Sequence, residues 1–435
     1  MTEAAIPSGR TADAGAVRAD RLRSGLRRRY ARERRFKLYG LLAIGVAVGF
    51  LVLLLGRIFD QGHTAFYAHS IETPVYMDPA RIDRAYPQGT NFELLVAEQQ
   101  LARMGVQDDA QGARAAAMRG LFSSELKFLA AERIQAEPEL IGQTVRIAAP
   151  LADDADLYFK GEITLDTPAA QRRLSDEQIG WLDRMRAEGM VSSHFNSALF
   201  TRGDSTEPEL AGVLGAVIGS ALMLLVTALI ALPLGVGAAL YLEEFAPKGR
   251  LTNLIEVNIN NLAAVPSIIY GLLGLALFIN WMHLPRASPL VGGLVLALMA
   301  LPTIIIATRS SLKAVPPSIR EAALAMGASK TQTVFHHTLP LAMPGVMTGA
   351  IISMAHALGE TAPLLLIGMV SFVPGIPHGL TEPTGALPSL IYIWENASER
   401  AFHERTAAAI MVLLAFMIVM NAAAVLLRRR FERRW

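Results

Sequence analysis

Six long apolar stretches constrain this chain more than any other feature, because each is long enough to cross a bilayer as a helix. They are Leu38–Gly56, Leu210–Leu242, Val257–Met282, Ala287–Thr308, Gly345–Val370 and Thr406–Leu427. A hydrocarbon core of ~30 Å needs about 20 mostly apolar residues in a helix. Inside lipid the backbone has to satisfy its own N–H and C=O groups, so these stretches are expected to be helical. Composition agrees: 52% of the 435 residues are hydrophobic and 18% charged, with a mean hydropathy of +0.36, whereas soluble chains are nearer a quarter charged. Disorder and an ordinary cytosolic enzyme are therefore disfavoured. Cysteine is absent, which removes disulfides, thiolate catalysis and cysteine-ligated metals.

The net charge of +2 averages very unequal parts. Before Leu38 there are eleven Lys/Arg and four acids, whereas residues 60–208 hold fourteen Lys/Arg and twenty-three acids. Basic flanks of short loops mark the cytoplasmic side. Arg27, Arg28, Arg29, Arg32, Arg34, Arg35 and Lys37 precede the first span, and Arg428, Arg429, Arg430, Arg433 and Arg434 follow the last. Six crossings then place both termini in the cytoplasm. Two internal loops agree, one with Lys248 and Arg250, the other with Arg309, Lys313, Arg320 and Lys330; the segments expected outside hold only Arg286, Arg400 and Arg405. The first span also has the basic-then-apolar order of a signal peptide. Its nineteen uncharged residues and the lack of a clear small-residue cleavage site favour an uncleaved anchor.

The resulting organisation is a basic cytoplasmic arm at 1–37, an anchor helix at 38–59, an extracytoplasmic domain at 60–208, a five-helix domain at 209–430 and a basic tail at 431–435. The fold class is an all-α polytopic membrane protein with six predicted transmembrane helices and an inserted mixed α/β domain. Within the insert, Asn91–Met104 and Asp109–Ala136 have helical spacing, Gln143–Ala148 and Asp156–Thr164 alternate like strands, and Ser175 with Gln178 forms a capping box. His63, His69 and His194 are scattered and read as surface residues, not metal ligands. No catalytic constellation and no internal repeat is visible.

The segment between the fourth and fifth spans carries the most information. Pro316-Pro317-Ser318 is followed by Glu321-Ala322-Ala323, Gly327 and Leu339-Pro340. Ser318 with Glu321 and Ser329 with Gln332 are spaced as capping boxes, and Gly327 suits a helix end that needs φ > 0. Two short helices joined at a glycine are expected, the second ending at Leu339-Pro340 before Pro344 opens the next span. A capped connector needs fewer than thirty residues; a rigid handle for a soluble partner accounts for the rest.

This pattern resembles the EAA loop of ABC-transporter permeases, with His337 where isoleucine is usual. The resemblance implies the ABC importer permease fold. It also implies a coupling loop at 316–340 (Ser318, Glu321, Ala322, Ala323, Gly327, Leu339 and Pro340) seated in a separate ATPase subunit. The chain contains no Gly-Lys pair and so no P-loop of its own. It is expected to be a translocation subunit without catalytic residues, metal or cofactor.

Gly359-Glu360-Thr361-Ala362-Pro363-Leu364-Leu365 resembles the GETAPLL signature of PstA-type phosphate permeases. Pro266-Ser267-Ile268-Ile269-Tyr270-Gly271-Leu272, Leu301-Pro302-Thr303 and the approach from Phe200-Thr201 to Ala211-Gly212 support it. The resemblance covers about 195–430. It implies an importer of inorganic phosphate in a bacterial inner membrane. The implied partners are a PstC-like second permease chain, two PstB-like ATPases and a PstS-like extracytoplasmic phosphate-binding protein. No nucleic acid is involved.

An ionised side chain at mid-bilayer costs ~2.5–3.5 kcal/mol on insertion scales, so His356 and Glu360 are informative. Spaced i,i+4, they share a helical face with Gly349 and Ser353 and can pair. Either they line a solute path or they lock the helix in register. The resemblance implies a path through Ser353, His356, Glu360 and Thr361, with Arg309 a second basic candidate or else a snorkelling residue. Asn258, Asn260 and Asn261 are expected to bond to neighbouring helices or interfacial water, and Trp281, Trp394 and Trp435 to be interfacial aromatics. Other oxyanions (sulfate, molybdate, phosphonate) or a sensor with a vestigial transport core are the alternative functions.

Overall fold

The computed structural model describes residues 10–107, 112–168, 172–370 and 372–431. The expectations resting on residues 1–9, Asp109, Arg433, Arg434 and Trp435 lie outside these. The chain divides into Met1–Asp60 and Gln61–Trp435. The described residues of the first unit lie in one helix, α1 (Arg10–Gly62), of 53 residues. At 1.5 Å per residue it is about 80 Å long, more than twice a hydrocarbon core, so residues 10–37 of the arm and the anchor form one continuous helix.

The second unit opens with a small α/β region. Its sheet has the order β2-β1-β3, built from β1 (Tyr67–Tyr76), β2 (Thr144–Pro150) and β3 (Val191–Phe195), all antiparallel. Val75 pairs with Val145 and Ile71 with Val191. Ile71, Thr73 and Val75 alternate inward on β1, the period of two expected of a half-buried strand. Pro74 sits in the central strand without breaking it, because β3 pairs only with Tyr67–Ile71 and leaves one side of Pro74 free.

Helices α2 (Phe92–Arg103), α3 (Ala113–Arg119), α4 (Glu125–Ala136), α5 (Asp153–Phe159) and α6 (Asp176–Ala187) cover this sheet around a core that includes Phe92, Leu126, Trp181 and Met185. Asn91 caps α2 by accepting from Leu94 N at 3.1 Å, and Ser175 with Gln178 makes the expected capping box. Asp156–Thr164 is not a strand. Asp153, Asp154 and Asp156 occupy the first turn of α5, where the helix dipole favours acids.

After the short α7 (Ala198–Thr201), the helical domain comprises α8 (Leu214–Leu240), α9 (Arg250–Ala263), α10 (Ser267–Gly274), α11 (Pro289–Lys313), α12 (Pro317–Ala325), α13 (Lys330–Gln332), α14 (Leu339–Gly359), α15 (Ala362–Leu366), α16 (Leu387–Glu395) and α17 (Ala401–Phe431). Among the described residues five helices are long and apolar enough to span: α1, α8, α11, α14 with its lead-in from Lys330, and α17. The core is the α8–α11 pair. A Cβ on Gly293 would lie 2.5 Å from Val226 Cβ, and Thr227 Oγ1 donates to Gly293 O at 3.1 Å, so small residues bring the two backbones together.

Two expected spans differ. Val257–Met282 is not one helix: α9 and α10, which runs on through a π-turn to Trp281, meet at 100°. Pro266 has no N–H and its ring clashes with a continuing helix; Tyr270 Oη donates to the freed Leu262 carbonyl at 2.8 Å. Gly345–Val370 also breaks. Its helix stops at Gly359, Glu360 turns extended (φ −77°, ψ 126°), and α15 starts afresh. Pro363 would collide with the Gly359 carbonyl in a continuous helix.

Two smaller expectations fail as well. Asn258 Nδ2 bonds within its own helix, to Leu254 O at 2.7 Å. Trp394 is not interfacial: it is 1% exposed and its Nε1 donates to Asp204 Oδ1 at 2.9 Å. Trp281, at 72% exposure, remains at the surface.

Candidate functional site

The segment 316–340 is a bent knuckle on one end of the bundle. Pro316 in extended geometry precedes α12, and Pro317 occupies its first turn. Ser318 does not cap this helix, contrary to expectation; the two prolines set its start, and Pro317 has no N–H that needs an acceptor. At the other end Gly327 has φ +86°. Its N–H donates to Leu324 O at 3.0 Å and Ala328 N–H to Ala323 O at 3.1 Å, a glycine stop of the expected kind. Ser329 and Gln332 form the second capping box.

The second leg departs from expectation at its far end. It does not stop at Leu339-Pro340 but runs through a π-turn at Thr333–Thr338 straight into α14. The wider turn absorbs the hydrogen bond that Pro340 cannot make. The knuckle is thus one short helix and a rigid extension of a spanning helix. Ala323 is buried beneath it, while Glu321, Ala322 and Gly327 face outward. Leu324, Met326 and Phe335 are exposed by 50%, 88% and 49%, an apolar tip.

Packing ties the knuckle to three spanning helices. Leu240, Leu312, Val315, Val334, Ala342 and Val346 form one buried cluster. Polar bonds reinforce it. Arg320 reaches Glu244 through Nη2 at 2.7 Å and Nε at 3.1 Å, and donates to the Leu312 and Val315 carbonyls, each at 2.8 Å. It therefore caps the end of α11 and fastens α12 to the π-turn Tyr241–Phe245 that ends α8. Arg309 bonds Glu243 at 3.3 Å and Glu256 at 2.6 Å, and Lys313 lies 3.6 Å from Glu243. Arg309 is thus a half-buried bridge joining α9 and α11 to the π-turn that ends α8. The residue missed in sequence is Glu244: the doublet Glu243-Glu244 closing an apolar run beside basic loops was the available signal.

The polar positions of α14 differ in burial. Ser353 is buried and donates to Ala300 O at 3.3 Å, and Gly349 packs against Ala307 of α11. His356, its side chain 68% exposed, pairs with Glu360 through Nε2–Oε1 at 3.1 Å. Thr361 accepts from Leu364 N at 3.0 Å and opens α15. The two sequence motifs on either side meet here: a Cβ on Gly271 would lie 2.7 Å from Pro363 Cα. The break after Gly359 and the bend at Pro266 are therefore packed on one another.

Comparison with known proteins fits this geometry. Residues 231–435 match the family described as binding-protein-dependent transport system inner membrane component, and residues 23–169 match a domain of unknown function, DUF3333. The chain is 33% identical over 232 residues to phosphate transport system permease protein PstA 1 of Mycobacterium tuberculosis (strain CDC 1551 / Oshkosh), covering 52% of this chain and 74% of that one. It is 31% identical over 228 residues to a probable ABC transporter permease protein, YqgI, of Bacillus subtilis (49% and 76% covered). Haemophilus influenzae PstA is 30% identical over 223 residues (51% and 78%). Among solved structures, the inward-facing MetNI methionine ABC transporter matches with a TM-score of 0.40 and 20% identity, covering 51% of this chain and 96% of that one. By identity and coverage with these relatives, the chain belongs to the binding-protein-dependent transport inner membrane components, as a PstA-type ABC-transporter permease.

Proposed function

We propose that this chain is the translocation subunit of an ATP-driven importer of inorganic phosphate in a bacterial inner membrane, working by alternating access. Its relatives of known type carry phosphate transport in their names, and ATP hydrolysis in such systems belongs to separate subunits. The observation that carries the reading is the knuckle at 316–340, fastened by Arg320–Glu244 and a shared apolar cluster to the ends of α8, α11 and α14. A push on its exposed tip reaches three spanning helices without slack.

The finer assignments extend the same reading. Both termini and the knuckle lie in the cytoplasm, and residues 60–208 outside. A PstC-like chain completes the path, two PstB-like ATPases clasp the knuckles, and a PstS-like protein delivers the anion. Ser318, Glu321, Ala322, Ala323, Gly327, Leu339 and Pro340 are the coupling segment. His356, Glu360 and Thr361 stand at the path where α14 breaks. A bare Glu360 carboxylate repels phosphate, so its pairing with His356 is part of the proposal. Ser353 and Arg309 serve the path by holding α14 and α9 against α11.

Radiolabelled phosphate uptake by the whole complex in proteoliposomes tests this. ATP-dependent uptake that unlabelled phosphate competes and sulfate, molybdate and phosphonate do not is the expected result. Competition by another oxyanion instead would reassign the substrate.

A further inference from the structure

The α/β region between α1 and α8 is not a tethered accessory. Lys160, at the end of α5, is 3% exposed, and its Nζ lies 2.7 Å from Asp156 and 2.6 Å from Glu404 of α17. The second Glu404 oxygen accepts from Thr64 Oγ1 at 2.9 Å. Asp156 is held in turn by the backbone N–H and Nδ1 of His69 at 2.9 and 2.8 Å. Next to Glu404, Arg405 is 2% exposed and donates to Ala211 O, at the entry of α8, at 2.9 Å. Charges so deeply buried persist only when paired and hydrogen-bonded; here the pairing runs between the α/β region and the head of the last membrane helix.

Apolar packing crosses the same junction. Ala401 of α17 belongs to the core of the α/β region, while Ala65 and Leu199, at its two ends, are buried with Trp394, Phe402 and Ala408. Asp204 accepts from Trp394 Nε1, and Arg173 Nη2 donates to Ser398 O at 3.2 Å. The entry, the exit and the middle of the insert are each fastened to the α16–α17 segment.

We propose that the insert is a rigid brace on the head of α17, with Lys160 as its positioning residue, so that brace and helix head move as one body through the transport cycle. This rests on the transporter reading, and its test reads motion separately from substrate. The chain has no cysteine, so in a complex whose partner subunits are made cysteine-free, spin labels at Glu162→Cys and His403→Cys report on this junction alone. Both residues line a cleft of ≈300 Å³ between α5 and α17. In the complete complex, one short separation should appear both without nucleotide and after vanadate trapping with ATP. A change of more than about 3 Å, well beyond ordinary side-chain fluctuation, overturns the brace.

In the second arm, Lys160→Met should slow phosphate uptake about ten-fold at unchanged half-saturating phosphate, because two buried carboxylates lose their shared cation. Lys160→Arg should restore most of it. Full uptake in Lys160→Met, or no rescue by arginine, counts against the positioning role. If Lys160→Met prevents assembly, the labelled pair in the otherwise unaltered junction decides. A complex that keeps the label separation but carries no phosphate supports the brace and sinks the substrate reading alone.

Discussion

Arg320 is where the mechanical argument is most exposed to test. Its guanidinium is 22% exposed and the Glu244 carboxylate 8%. Two unit charges about 4 Å apart in a medium of effective dielectric ~20 attract by about 4 kcal/mol. Removing one member of a buried pair costs about 3–5 kcal/mol because the other charge stays behind. Partial exposure of the arginine screens this to about 2–3 kcal/mol. The carbonyls of Leu312 and Val315 lose donors too, at about 1 kcal/mol each. Arg320→Met therefore weakens the seat of α12 by about 4 kcal/mol, close to a thousand-fold in the ratio of seated to detached knuckle. The assay is ATP turnover and phosphate uptake measured together in proteoliposomes. Turnover should persist while uptake falls more than ten-fold, and Arg320→Lys, which keeps the charge but not the fork, should lie between. Wild-type uptake per ATP in Arg320→Met would refute the idea that force passes through this bridge.

Further outcomes follow from other positions. Gly327→Val places a β-branched residue at φ +86°, which costs at least 1–2 kcal/mol; uptake should uncouple from ATP turnover, measured by the same pair of assays. His356→Ala breaks the bond to Glu360 and should slow uptake with the complex assembled on gel filtration; failed assembly would assign the pair to holding α14 in register. Glu209, just before α8, has its carboxyl pushed up to about 7 by burial. The unfolded chain releases that proton near pH 4.5. The folded one keeps it until about 7, so the stability this group contributes is present below 4.5 and lost as pH rises to 7. Glu209→Gln should therefore gain stability over the parent across that window, by about 3 kcal/mol at most; equal melting temperatures at pH 5 and pH 8 would remove the effect.

Much of the knuckle at 316–340 was legible in the linear order of residues. Gly327 and the box at Ser329 act within a few residues of themselves, so local spacing is enough to place them. The failures share a cause. Ser318 looked like a cap because its spacing to Glu321 is right, but two preceding prolines had already fixed the helix start. Leu339-Pro340 looked like a stop because a proline usually is one, and the π-turn that accommodates it leaves no mark in the sequence. Strand β1 carries Pro74 and Glu72, which suit a central strand only where one side lacks a neighbour, and that depends on where β3 ends.

Hydropathy and short capping patterns together determined that this chain is a polytopic helical membrane protein with a structured segment at 316–340, and the resemblance carried by Glu321-Ala322-Ala323 and Gly359–Leu365 pointed to a permease. These are sums over neighbours along the chain, and each span or cap answers to its own residues. Only the tertiary structure decided the 100° bend between α9 and α10, the partners of Arg320 and Arg309, the burial of Trp394 and the weld at Lys160. The contacts of Arg309, Trp394 and Lys160 join groups tens to hundreds of residues apart, such as Lys160 and Glu404. Their energy exists only after folding has excluded water from both sides of the contact.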